Sequence, residues 1–116
     1  MSKSRKKIIK KFGQDALALI AARFKVLSEP ARLQLILALE QRHKNVSELV
    51  LETGMSQSNV SRHLQRLIEN GVLKRERQGV EIYYSIAAKE IFTLCEHVCG
   101  GLRRSVFDKA KSLSSD

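Results

Sequence analysis

The stretch from Val46 to Ile86, VSELVLETGMSQSNVSRHLQRLIENGVLKRERQGVEIYYSI, decides how this chain folds. A short apolar helix comes first, a glycine turn follows, and a longer amphipathic helix leads directly into a basic hairpin. This order is typical of a winged helix-turn-helix. In such a domain the second helix enters a DNA major groove, and the hairpin, or wing, lies on the neighbouring backbone.

Local signals predict the helix-turn-helix over residues 46–70. The first helix is predicted from Val46 to Leu51, and Gly54 can take the positive φ that a tight turn requires. Ser56 is a suitable N-cap for a second helix that ends at Asn70–Gly71. One face of this helix is apolar at helical spacing and consists of Val60, Leu64, Leu67 and Ile68.

The opposite face of the second helix is polar, and its N-terminal half carries no acid. Glutamine can pair with adenine and arginine with guanine, and serine can reach a phosphate or a base edge. A solvated surface is the ordinary alternative, but the missing acids and the wing that follows favour DNA contact. The predicted contact residues of this helix are Gln57, Ser58, Asn59, Ser61, Arg62, His63, Gln65 and Arg66.

Two interpretations stay open for His63, which lies at the edge of the apolar stripe, three residues after Val60. Its imidazole can donate to a phosphate, or it can pack against the flank of the helix.

The wing is predicted over residues 72–86, with a turn at Gln78–Gly79. Apolar and polar side chains alternate in its second strand, as expected for a half-buried strand. From Ser56 to Arg77 the chain has five basic and two acidic side chains, so the expected DNA face is positively charged. Contacts to phosphates or the minor groove are assigned to Arg75, Arg77 and Gln78.

Two segments resemble the ArsR/SmtB family of bacterial winged-helix repressors. FKVLSEPARLQLILAL (Phe24–Leu39) is similar to the family's helix-two signature, and MSQSNVSRHLQRLIENGVLKRERQGVEIYYSI (Met55–Ile86) to its recognition helix and wing. The resemblance implies a homodimer that binds an inverted-repeat operator. It also implies repression that an inducer releases.

Length and composition suit one winged-helix domain over residues 1–116, mainly α with a small β-hairpin, with about five helices plus the wing, and dimeric. A net charge of +9 and a pI of about 9.9 favour a polyanionic partner. Charge alone also fits a membrane surface, and the helix-turn-helix decides for DNA. Without a long apolar run or a signal-type segment, we expect a bacterial cytoplasmic protein and no membrane partner.

The flanking segments are less specific. Residues 1–12 are basic, and form either a solubilising tail or an arm that adds phosphate contacts. The next helix is expected to begin before Phe12, and another opens at Ser28–Glu29–Pro30 with Ser28 as a plausible N-cap. Residues 87–112 are predicted as a dimerisation helix, interrupted at Gly100–Gly101, that packs with the first helix across a two-fold axis. Its apolar stripe is Ile91, Leu94, Cys95, Val98, Leu102 and Val106.

The only two cysteines, Cys95 and Cys99, are four residues apart on that helix and therefore share one face. Three interpretations compete: small buried hydrophobic side chains, a redox or sulfur switch, and a soft-metal or arsenite site. Apart from this last candidate no metal or cofactor is expected. The two best-known metal sites of the resembled family look absent, because residues 46–51 lack Cys and His and His97 is the one histidine of the last helix.

Three functions follow from these features. The first is a DNA-binding repressor released by thiol chemistry at Cys95 and Cys99, and the second is an inducer-independent regulator with structural cysteines. The third is a winged-helix protein-interaction module, against which the acid-free polar face argues. An enzyme is not expected, because the three histidines are scattered and no nucleophile–base pair or phosphate loop appears.

Overall fold

The computed structural model describes the backbone of residues 13–114, and the side chains of residues 13–98 and 100–102. The elements are α1 (Gln14–Leu27), α2 (Pro30–Ala38), α3 (Val46–Thr53), α4 (Gln57–Glu69), β1 (Leu73–Gln78), β2 (Glu81–Ile86) and α5 (Lys89–Ser114). Across this described part of the chain the fold is five helices and one antiparallel hairpin. The predicted winged helix-turn-helix is confirmed.

Hydrogen bonds at the helix ends fix the helix-turn-helix. The Oδ1 of Asn45 accepts from the backbone N–H of Glu48 at 2.9 Å, and the Glu48 carboxylate accepts from the Asn45 N–H at 3.3 Å. This reciprocal cap begins α3. Gly54 ends it with a φ of 75°, a conformation that favours glycine. Ser56 then caps α4, as the sequence predicted.

The core lies where α2, α3 and α4 pack against one another. Its fully enclosed side chains are Leu35, Ile36, Leu49, Val60, Leu64, Leu67 and Val72. Truncating a leucine or isoleucine at such a position to alanine costs about 2–5 kcal/mol. This apolar layer therefore fixes the angle at which α4 leaves the turn, and it contains most of the apolar stripe read from the sequence.

The wing is a two-stranded ribbon whose register runs from the Leu73–Ile86 pair to the Gln78–Glu81 pair. Its connecting residues are Gly79, with a φ of 67°, and Val80. The turn therefore lies one residue later than predicted, because Gln78 still pairs with β2. Leu73 is buried against the core, whereas the rest of β1 is exposed.

Two local predictions were wrong. Ser28 ends α1 instead of beginning α2: its Oγ donates to the carbonyl of Lys25 at 2.6 Å, and Glu29 is the N-cap residue of α2. The last helix continues through Gly100–Gly101, since a glycine costs a helix only about 1 kcal/mol.

The basic arm at residues 1–12 and the predicted helix start before Phe12 lie outside the described residues. Between residues 13 and 114, none of the helices has the length and apolar character required to cross a membrane.

Candidate nucleic-acid interface

The N-terminus of α4 suits the approach of a polyanion. Ser56 accepts at Oγ from the backbone N–H of Asn59 at 3.2 Å, so the cap leaves other amides of the first turn facing outward. No acidic side chain occurs in this turn. A helix N-terminus with these properties carries a partial positive charge that attracts phosphate.

The outer face of α4 is polar and accessible. Opposite it, Val60, Leu64 and Leu67 are buried in the core. Because helical periodicity separates the two faces, anchoring the apolar stripe directs the polar side chains to solvent. The predicted DNA-contact residues that the structure exposes here are Gln57, Ser58, Asn59, Ser61, Arg62, Gln65 and Arg66.

Neighbouring side chains orient the groups best suited to reading bases. Nη2 of Arg62 donates to Oδ1 of Asn59 at 3.3 Å, one turn earlier in the helix. Nε2 of Gln65 donates to the Glu69 carboxylate at 3.3 Å, one turn later. Both side chains are exposed. The guanidinium therefore keeps donors for a guanine edge, and Gln65 can exchange Glu69 for an adenine edge.

His63 is the exception among the predicted contact residues of α4. Its side chain is only 6% exposed, and its Nδ1 accepts a hydrogen bond from Nε of Arg32 at 3.3 Å. Burial lowers the pKa of His63, the nearby positive charges of Arg32 and Arg62 lower it further, and Glu29 opposes them. The prediction of a DNA contact at His63 is therefore corrected: the side chain packs at the helix flank.

Arg32 was missed by the sequence analysis. It lies in the first turn of α2, far along the chain from α4, and local periodicity cannot detect a partner at that separation. The available signal was that Arg32 is the one charged residue of this helix.

The wing follows α4 directly and extends the basic surface. Arg75 and Arg77 are exposed and occupy alternate positions of β1, so they project from the same face of the ribbon. Nε of Arg77 donates to the carbonyl of Gly79 at 3.1 Å, which holds its guanidinium at the tip. Gln78 is also exposed. Glu76 lies at the alternate position and so faces the other side.

A second surface of the protein is apolar and exposed. Leu17, Ile20 and Phe24 stand out from α1, with Phe24 58% exposed. From α5 come Leu94, Val98 and Leu102, the last 62% exposed. A groove of about 280 Å³ runs between these helices, and its lining includes Phe24, Leu94 and Val98. Contiguous apolar surface of this kind marks an interaction site in soluble proteins.

Known proteins are similar to this chain in sequence and in architecture. Residues 29–75 match the family model described as "Bacterial regulatory protein, arsR family". The uncharacterized HTH-type transcriptional regulator Rv0081 of Mycobacterium tuberculosis is 35% identical over 91 residues, which cover 78% of this chain and 80% of that protein. The chain belongs to the ArsR family.

Solved structures agree with membership of the ArsR family. The crystal structure of Rv0081 matches with a TM-score of 0.71 at 33% identity, over 84% of this chain and 99% of the other. The solution structure of the homodimeric winged helix-turn-helix DNA-binding domain of Mb0332 from Mycobacterium bovis gives a TM-score of 0.70 at 25% identity, over 91% of each chain. Rv0081 is named as an HTH-type transcriptional regulator and Mb0332 as a possible ArsR-family transcriptional regulator, which agrees with the class of function predicted from the sequence.

The candidate sensor cysteines of this ArsR-family chain lie on α5. Cys95 is 6% exposed and lines the apolar groove together with Leu27 and Leu33. The side chain of Cys99 is outside the described residues. Within the described part of the chain, no group of three His, Cys, Asp or Glu side chains could hold a metal ion. A soft-metal or arsenite site at Cys95 and Cys99 remains a prediction.

Proposed function

We propose that this protein is a homodimeric transcriptional repressor that binds an inverted-repeat DNA operator. The observation that carries the proposal is the exposed polar face of α4, acid-free in its first turn and followed directly by the arginines of the wing. The face offers hydrogen-bonding groups for bases, and Arg75 and Arg77 offer charges for phosphates. The name of one relative, the transcriptional repressor PagR of Bacillus anthracis, supports repression as the outcome; it is 44% identical over 64 residues.

The exposed apolar surface of α1 and α5 supports the dimer. Phe24 and Leu102 would be removed from water if a second copy covered this surface, and each buried side chain of this kind contributes about 1.5–3 kcal/mol. The related Mb0332 domain is homodimeric. In a two-fold dimer the two α4 helices would reach successive major grooves about 34 Å apart, and such a dimer would bind an inverted repeat.

Thiol chemistry at Cys95 and Cys99 is the proposed release step. Oxidation of the two thiols to a disulfide gives up two protons and two electrons, and a peroxide that accepts them is reduced to two waters. Because Cys95 lines the same groove as the α1 residues Phe24 and Leu27, a new bond on α5 would disturb the packing of the dimer surface. The typical coupling between two such sites is about 1–3 kcal/mol, or 5–150-fold in affinity.

A second candidate is a regulator without an inducer, in which the cysteines are structural. The burial of Cys95 at 6% exposure favours this candidate, since buried cysteine often acts as a small apolar side chain. Reaction with a thiol reagent requires access to a thiolate, so the two candidates differ in a measurable property.

The deciding experiment is operator affinity, with duplexes first selected from a random pool by the wild-type protein. Affinity is then measured for reduced protein, for protein treated with peroxide or polysulfide, and for protein given arsenite or zinc. Cys95→Ser, Cys99→Ser and the double variant undergo the same treatments. Ser105→Ala is the control, because it also changes a residue of α5 but leaves both cysteines in place.

The proposal expects selection of an inverted repeat by a dimer and a loss of about tenfold or more in affinity after an effective treatment. The cysteine variants should not show this loss. An unchanged wild-type affinity under every treatment supports the regulator with structural cysteines. Selection of no sequence at all, even at low salt, contradicts DNA recognition and favours a protein-interaction module.

A further inference from the structure

Arg32 connects three helices through its guanidinium. Its backbone belongs to the first turn of α2. Nη1 donates to the carbonyl of Val26, in the last turn of α1, at 3.0 Å. Nε donates to Nδ1 of His63, in the middle of α4, at 3.3 Å. Since the guanidinium is rigid and planar, its two bonds fix the end of α1 relative to His63.

The hydrogen bond from Arg32 requires one protonation state of His63. For Nδ1 to accept from Arg32, it must carry no proton, so the imidazole is neutral with its proton on Nε2. Protonation at Nδ1 would replace the acceptor with a donor that faces a guanidinium. The charged groups that act on His63 from the described elements are Arg32 of α2, Arg62 of α4 and Glu29 at the start of α2. The two arginines disfavour a protonated imidazole, and Glu29 opposes them only in part.

The connected helices carry the two surfaces that a dimeric regulator must align. α1 presents exposed Ile20 and Phe24 on the apolar surface, and α4 exposes the polar face proposed to bind DNA. The angle between these helices determines where each recognition helix stands relative to the two-fold axis. A small change there is magnified at the DNA, because half-site spacing depends on both copies.

We propose that Arg32 and His63 are positioning residues that hold the recognition helix α4 at a fixed orientation to the dimer helix α1, and so set the spacing of operator half-sites. This inference rests on the proposed homodimeric regulator. The pair contributes geometry through its hydrogen bonds, and neither residue need touch a base. His63 therefore affects DNA recognition from within the protein.

Three variants separate positioning from simple packing. His63→Leu keeps the bulk but removes the acceptor. His63→Asn can restore an acceptor near Nδ1, and Arg32→Lys keeps the charge but loses the planar fork. His43→Asn is the control, because His43 is an exposed histidine that lies edge-on to Tyr83 and away from this link.

The experiment measures affinity for the selected operator and for versions whose half-sites are one base pair closer or further apart. Dimerisation is followed in parallel by analytical ultracentrifugation. Wild type and His43→Asn should discriminate between the spacings. In His63→Leu and Arg32→Lys this discrimination should fall by about tenfold, with the dimer retained, and His63→Asn should recover most of it.

A readout without DNA keeps the inference testable if one variant fails to fold. In wild-type protein at neutral pH, nitrogen NMR of the imidazole should show the Nε2–H form of His63, and Arg32→Lys should shift its Nδ1 resonance. Protonated Nδ1 in the wild type, or unchanged spacing discrimination in the folded His63→Leu dimer, overturns the inference. A wild-type protein that is monomeric or selects no operator instead overturns the proposed function, and the inference with it.

Discussion

Lys44 and Tyr84 pair through two backbone hydrogen bonds: the N–H of Lys44 donates to the Tyr84 carbonyl at 3.1 Å, and the N–H of Tyr84 donates to the Lys44 carbonyl at 2.8 Å. Tyr84 lies in β2 and Lys44 precedes α3, so the main chain fastens the wing to the helix-turn-helix. Nζ of Lys44 also contacts the Glu52 carboxylate at 2.5 Å. The wing therefore has a defined direction relative to α3.

The first prediction concerns Arg77, which lies at the tip of the anchored wing. Arg77→Ala should lower affinity for all duplexes, selected or unrelated, because we expect this side chain to contact phosphate and to read no base. The slope of log affinity against log salt should become shallower by about 1. Fluorescence anisotropy over a salt series measures both effects. A loss confined to the selected operator would show that Arg77 reads sequence.

Arg62 should behave in the opposite way. Arg62→Ala should cost about 1–3 kcal/mol on the selected operator, with a much smaller effect on an unrelated duplex. Arg42→Ala is the matched control, because it also removes one exposed positive charge. Arg42 lies outside α4 and the wing, and it pairs with Glu48. Competition binding with both duplexes tests the contrast. Operator affinity that survives Arg62→Ala would contradict our assignment of the reading face.

Gly54 should be needed for its backbone conformation alone. Its φ is 75°, and a Cβ built there would meet no heavy atom within 4 Å. Gly54→Ala should therefore lower the free energy of unfolding by about 1–2 kcal/mol. Gly54→Asn should lower it less, since asparagine enters the left-handed region more readily. Urea denaturation measures both variants, and equal losses would point to a cause other than backbone strain.

Phe24 should stabilise the dimer. A charge in the middle of the apolar surface cannot be buried without a partner, so Phe24→Asp should shift the protein toward monomer and weaken operator binding. Leu51→Asp is the control, because Leu51 is 86% exposed on α3, outside the surface formed by α1 and α5. Analytical ultracentrifugation distinguishes monomer from dimer. A Phe24→Asp protein that remains fully dimeric would place the interface elsewhere.

Acid should destabilise the fold through His63. Its pKa is lowered in the folded protein, mainly by burial, so the unfolded chain binds more protons in the window between that lowered pKa and the unfolded value of about 6.5. The stabilising effect of the neutral imidazole is complete above this window and is lost as the pH falls through it. Thermal melts of wild type and His63→Asn across this range test the expectation, because the variant should lose less stability. Parallel curves would show that other groups dominate the acid response.

The sequence by itself determined most of the elements and the two faces of α4. Val60, Leu64 and Leu67 recur at helical spacing, so the stripe identified both the buried side of α4 and the polar side opposite it. Gly54 and Ser56 marked the turn, because each meets a backbone requirement that only neighbouring residues impose. Such signals are local, and they depend on the chain within one or two helical turns.

Tertiary structure alone decided the contacts between distant residues. The sequence left two interpretations of His63 open, and the packing of α2 decided between them by placing Arg32 beside it. Nothing in the sequence indicated that Lys44 pairs with Tyr84. The continuation of α5 through Gly100–Gly101 also contradicted the local signal. A hydrogen bond between remote residues depends on how the apolar layers fit together in three dimensions. Periodicity tells which side of a helix is buried, and only packing selects the polar partner that a buried side chain meets.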